Sequence, residues 1–112
     1  MNLSRGDIVL VDFDPALKNE AASTRPAILV MNNAANELSP TLVVIPLTSK
    51  VERVYPFEIL LERSRTGLDY DSKVQIQFIR HVSRARLKRV VGSLLNEDLL
   101  EVDGKLREHL AL

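Results

Sequence analysis

Cysteine and tryptophan are absent from the 112 residues, and only two histidines occur. Without cysteine there is no disulfide frame, no thiol nucleophile and no thiolate metal site, a pattern that fits a reducing compartment. His81 and His109 lie far apart, and neither has a second His or Cys at ligand spacing. Asp12 and Asp14 flank a loop with no further acidic residue close by, so no catalytic metal and no cofactor are expected. Long apolar runs are missing too: none approaches the roughly 20 residues that span a bilayer. The N-terminus lacks the basic segment and apolar stretch of a signal peptide. A soluble, cytoplasmic chain without a membrane partner is the expectation. Repeats, low-complexity segments and linkers are also lacking, and residues 1–112 read as one domain. A domain of this length buries only about two-thirds of its unfolded surface and gains from dimerisation.

Net charge is the last absence, with 15 basic and 15 acidic side chains. The balance is uneven along the chain. Residues 73–93 carry Lys73, Arg80, Arg84, Arg86, Lys88 and Arg89 with no acidic residue, while the flanking stretches are net acidic. Such a block suits local attraction to phosphate. It equally suits a solvated turn-and-helix surface, and charge alone does not choose.

What is present is a series of short apolar runs. Ile8–Phe13, Arg25–Met31 and Thr41–Thr48 read as strands, with a polar loop at Asp14–Thr24 and a short helical turn in Asn32–Pro40. Pro46 argues for an edge or a bulge near the end of the third strand. Pro56–Glu62 and Lys73–Ile79 read as the fourth and fifth strands. In the latter, Val74, Ile76 and Phe78 alternate with Lys73, Gln75 and Gln77, which predicts one wet face. Arg63–Ser72 is turn-rich around Gly67. Ser83 caps a short helix to Leu87, and Arg89–Ser93 forms a last strand. A C-terminal helix starts from Asn96 as cap, with Leu99, Val102, Leu106 and Leu110 as its apolar stripe. Short strands with a terminal helix suggest a mainly β fold with helical additions, a small and strongly curved β-barrel.

Two residues stand at the rims of the apolar runs. Arg25 opens TRPAILVM, and Thr48 closes TLVVIPLT. If the two strands lie side by side, a cation and a hydroxyl meet at one edge of a sheet. A guanidinium can donate two parallel N–H bonds to phosphate oxygens and stays charged at every working pH. A neighbouring hydroxyl adds a donor where charge develops. The plainer alternative is an Arg held extended by the following Pro and a Thr placed by β propensity.

The blocks RGDIVLVDFDP (Arg5–Pro15), TRPAILV, VVIPLTSK, DSKVQIQFIR (Asp71–Arg80) and SRARLKRVVGSL (Ser83–Leu94) decide between these. In this order and spacing the chain resembles the MazF/PemK (Kid) toxin endoribonucleases, from about Arg5 into the C-terminal helix. The resemblance implies an SH3-like barrel of the PemK/CcdB type, usually a homodimer. It implies Arg25 and Thr48 as the catalytic pair, with Glu20 as an acidic supporting residue whose plainer reading is an exposed loop carboxylate. It implies Ser49, Gln77 and Arg80 as RNA contacts, although Arg80 could also be an ion-paired strand end. Two departures bear on base readout. The loop reads Lys18-Asn19-Glu20-Ala21-Ala22 where relatives often have Gly-Ser-Glu-Gln. Phe78 stands where relatives often place Gln, and Gln77 precedes it.

The activity implied is metal-independent, sequence-selective cleavage of single-stranded RNA by 2′-hydroxyl attack, leaving 2′,3′-cyclic phosphate and 5′-hydroxyl ends. The partners implied are the RNA and a cognate MazE-like antitoxin with an acidic C-terminal segment. One rival is a gyrase poison of the CcdB type, which acts through a C-terminal Trp-Gly-Ile. This chain ends Leu110-Ala111-Leu112 and has no Trp. The other rival is a non-catalytic SH3-like relative or binding module acting through protein contacts.

Overall fold

The computed structural model describes residues 2–13 and 24–112. Glu20 and the rest of residues 14–23 lie outside the described residues. The described residues form seven strands: β1 (Asp7–Asp12), β2 (Thr24–Leu29), β3 (Thr41–Thr48), β4 (Ile59–Leu61), β5 (Ser72–Val74), β6 (Arg80–Ser83) and β7 (Leu87–Ser93). Among the described residues three helices join them: α1 (Asn33–Leu38), the single turn α2 (Arg63–Thr66) and the C-terminal α3 (Asn96–Leu110). Two 3₁₀ turns cover Ile76–Phe78 and Arg84–Arg86.

The strands form one open sheet in the order β4-β5-β3-β2-β1-β7, with β6 beside the first half of β3. This corrects the expectation of a closed SH3-like barrel. The terminal strands β4 and β7 do not pair with each other among the described residues. The chain leaving β4 meets β7 through α2 instead. The Thr66 carbonyl comes so near Gly92 that a Cβ there would lie 2.7 Å from its oxygen. A helical turn thus stands where a closing ladder would have to run.

Alternation along β1, β2 and β3 explains their near-continuous apolar character. Ile8, Ile28, Ile45 and Leu47 face one core with Val74, Ile76 and Val102. Val9, Val11, Ala27, Leu29 and Val44 face a second core with Phe13 and Val82. Both faces of the central strands are therefore dry, the situation in which a strand has no polar side. The first core is covered by α3. Val102 is fully buried there, and Leu99 and Leu106 are half-buried against it, whereas Leu110 is exposed. Ion pairs pin the helix: Arg5 to Asp103 at 2.6 Å, and Arg65 to Glu97 at 2.7 Å and to Asp98 at 3.0 Å. Asn96 is the first helical residue and not the cap; Leu95 holds the cap position without a side-chain bond.

Pro46 lies in a central strand, not at an edge. The ladder with β2 pairs Ala27 with Pro46 and Ile28 with Ile45, and the Val30 N–H donates to the Val43 carbonyl at 3.1 Å. Alternation of bonded and non-bonded pairs then turns the Pro46 nitrogen away from β2. On that other side β3 changes partner, from β6 (up to Val44) to β5 (from Leu47). The missing N–H falls at the changeover, where no ladder needs it.

Candidate active site

The β2–β3 ladder ends at Ala27 and Pro46, and Arg25 and Thr48 each lie two residues beyond that last pair. Both stand at neighbouring ends of antiparallel strands and line the same cleft. Arg25 is anchored on its other flank by pairing with Val11, and Thr48 by pairing with Lys73. Both are half-buried. Pro26 holds the preceding residue extended, which keeps Arg25 in the strand. The Thr48 hydroxyl oxygen accepts the Lys50 N–H at 3.2 Å. A hydroxyl that accepts there keeps its single O–H to donate elsewhere.

Two clefts meet at Arg25. The larger, about 620 Å³, is lined by Arg25, Thr48, Ser49, Lys50, Tyr70 and Arg89, among others. The smaller, about 430 Å³, is lined by Phe13, Arg25, Gln77, Phe78, Ile79 and Arg80 with Pro46 and Gln75. Arg25 is the residue shared by both. Of the residues expected from sequence, Thr48 and Ser49 lie on one side of it, and Gln77 and Arg80 on the other.

The basic block divides by task. Lys73 is buried, and its ammonium donates to Glu58 at 2.9 Å and to the Arg53 carbonyl at 2.6 Å. Arg84 donates to the carbonyls of Ser39 and Asn36, and Arg86 to that of Asp12 at 3.2 Å. These three cations hold the fold together. Arg80 and Arg89 line the clefts, with the Arg80 guanidinium 5.2 Å from the centre of the Phe13 ring.

The strand expected over Lys73–Ile79 is broken after Val74, and Ile76–Phe78 turns as 3₁₀. Gln77 and Phe78 therefore do not face opposite ways, as they would on a strand; both line the smaller cleft. The Gln77 amide donates to Glu58 at 2.8 Å. Glu58 is a residue that sequence reasoning passed over, as are Lys50 and Tyr70 at the larger cleft. A charged residue in PFEILLE carries no sign of the Lys73 on β5 and the Gln77 on the following 3₁₀ turn that meet it. Among the described residues, no group of three or more His, Asp or Glu could hold a metal ion.

A family model described as PemK-like, MazF-like toxin of type II toxin–antitoxin systems matches residues 4–110. The chain belongs to the PemK/MazF toxin family. A curated relative, the endoribonuclease MazF9 of Mycobacterium tuberculosis, is 40% identical over 115 residues, covering 98% of each chain. MazF of Deinococcus radiodurans superposes with a TM-score of 0.81 at 26% identity, covering 100% of this chain and 99% of that one. A mycobacterial endoribonuclease solved with its cognate antitoxin has the same fold, with a TM-score of 0.79 at 22% identity over 98% and 96% of the two chains. These relatives share this chain's length, and the two solved ones share its overall fold.

Proposed function

We propose that this PemK/MazF toxin is a metal-independent, sequence-selective endoribonuclease that cleaves single-stranded RNA. RNA-cleaving activity rests on the family and on 40% identity to a curated endoribonuclease. The observation that carries the mechanism is that Arg25 and Thr48, at neighbouring ends of β2 and β3, line one cleft, and that Arg25 also lines a second. RNA carries its own nucleophile. The 2′-oxygen bonds to the adjacent phosphorus and the bond from phosphorus to the 5′-oxygen breaks, which leaves a 2′,3′-cyclic phosphate and a 5′-hydroxyl. The 2′-hydroxyl loses its proton and the leaving oxygen gains one.

Arg25 acts as the charge stabiliser, its planar fork spanning two phosphoryl oxygens as the dianionic phosphorane forms. A guanidinium resists deprotonation, so stabilising charge suits it better than accepting a proton. Thr48 donates its O–H to a non-bridging oxygen. Glu20 is the acidic group assigned to the 2′-hydroxyl proton. Ser49 contacts the strand in the larger cleft, and Gln77 and Arg80 do so in the smaller. Paired bases cannot be splayed into two clefts of this size, which supports a single-stranded substrate.

The working form is a homodimer, and the antagonist is a cognate antitoxin with an acidic, extended segment that competes for the same cations. A related mycobacterial enzyme bound to its cognate antitoxin supports this pairing. The test is incubation of purified protein with a long mRNA in excess EDTA, beside an RNA whose cleavage-site nucleotide lacks the 2′-hydroxyl. Cleavage persists in EDTA and fails on the 2′-deoxy substrate. Inhibition by EDTA that Mg²⁺ reverses would move the reaction to a metal-bound water.

A further inference from the structure

One buried carboxylate has no part in the chemistry above. Glu58 lies just before β4 and is 5% exposed. Its Oε1 accepts from the Lys73 ammonium at 2.9 Å and from the Tyr55 N–H at 2.9 Å, and its Oε2 accepts from the Gln77 Nε2 at 2.8 Å. Burial pushes the carboxyl up, but the donors from Gln77, the Tyr55 backbone and Lys73 together hold it below the usual carboxylate range. At neutral pH it is ionised, and an ionised carboxylate only accepts.

That fixes the Gln77 amide. Its NH₂ must face Glu58, so its oxygen must face the other way. The Gln77 Oε1 is shielded from solvent and has no hydrogen-bond partner among the described residues. A buried acceptor left unpaired is costly, and a donor from outside the chain reaches this one when the side chains that shield it shift aside. The cleft that Gln77 lines also holds Phe78, which is 55% exposed. An uncovered aromatic face beside the cations Arg25 and Arg80 is the arrangement that takes a stacked nucleobase next to its phosphates.

We propose that Glu58 is a positioning residue for base selection: by holding the Gln77 NH₂, it leaves the Gln77 oxygen to accept from the exocyclic amine of one nucleobase stacked on Phe78. The inference rests on the ribonuclease reading and adds to it. Glu58 touches no substrate and acts only through Gln77. Adenine, cytosine and guanine carry such an amine and uracil does not, so the position read here discriminates against uracil.

The experiment begins by mapping cleavage ends of the wild-type protein on an RNA pool. At each preferred position that bears an amine, kcat/KM is then measured on an RNA with the matching amine-free base: purine for adenine, inosine for guanine, the 4-deamino pyrimidinone for cytosine. At one position the wild-type protein loses roughly ten- to hundredfold on the analogue, the effect of a lost donor to a buried acceptor. Gln77→Leu shows almost no such penalty there. Glu58→Gln, which frees the amide to turn, carries a penalty several times smaller than wild type. Glu58→Asp keeps the charge beside Lys73 but withdraws it from Gln77, and it decides the matter if Glu58→Gln does not fold. The inference is overturned if Gln77→Leu keeps the full penalty at every position, or if a folded Glu58 variant does. A wild-type protein that cleaves no RNA would overturn the ribonuclease reading; one that cleaves selectively with no amine-dependent position would overturn this inference alone.

Discussion

Thr48 is where a side chain's hydrogen bonding separates a catalytic role from a structural one. Its oxygen is already engaged by the Lys50 N–H, so what the site can use is the O–H. Thr48→Val keeps the β-branched shape and removes that donor. The expected outcome is a fall in kcat of about tenfold to 10³-fold with the fold unchanged, as for other preorganised donors. Single-turnover cleavage of a defined oligonucleotide measures it, and equal rates would reduce Thr48 to a strand end. The strand-end positions of Arg25 and Thr48 were legible in the sequence because each stands at the rim of an apolar run, whereas the catalytic role proposed for them came from the family resemblance. Glu58 was not, because its meaning depends on Lys73 and Gln77, 15 and 19 residues away in the chain. Its depressed pKa has a further consequence. The stability that Glu58 contributes is complete above its unfolded value of about 4.5 and is lost as pH falls through its lower folded value. Acid titration followed by circular dichroism should therefore show part of the acid unfolding limb flattened in Glu58→Gln.

Among the elements, β7 and α2 depend on one glycine. A methyl group at Gly92 would stand 2.7 Å from the Thr66 carbonyl oxygen, and neither strand nor helix end is a flexible side chain that can yield. Gly92→Ala should cost about 1–3 kcal/mol, the usual penalty of overpacking. Urea denaturation checks this, and an unchanged midpoint would mean that α2 moves freely against the sheet. The apolar pattern located β1, β2 and β3 well, as near-continuous runs, because all three run through the middle of the sheet and are dry on both faces. It misled at Lys73–Ile79, because the 3₁₀ turn at Ile76–Phe78 buries Ile76 and exposes Phe78 although both sit on the same strand parity. Periodicity also missed β6, whose Arg80 and His81 are exposed while Val82 is buried beneath them. Curvature was the other misreading. Short strands suggested closure, but the three-residue β4 and the intervening α2 leave the two edges apart.

At the scale of the molecule, a chain of zero net charge presents cations where the two clefts join and commits others to internal carbonyls. RNA binding should therefore weaken with salt as if only a few phosphates were neutralised, a shallow slope in comparison with strongly basic binders. An acidic peptide with the sequence of an antitoxin segment should compete with RNA and lose affinity as salt rises. Fluorescence anisotropy at several ionic strengths measures both, and salt-independent competition would place the peptide away from the clefts. The family and the open-sheet scaffold bring Arg25 to the junction, and the proposed chemistry depends on it. The most direct measurement is RNA cleavage by purified Arg25→Ala beside wild type, with Arg25→Lys as the charge-keeping control. The account predicts a loss of roughly 10²–10³ or more for Arg25→Ala in a folded protein, with little recovery in Arg25→Lys because an ammonium cannot span two oxygens. Cleavage by folded Arg25→Ala within about threefold of wild type would contradict it.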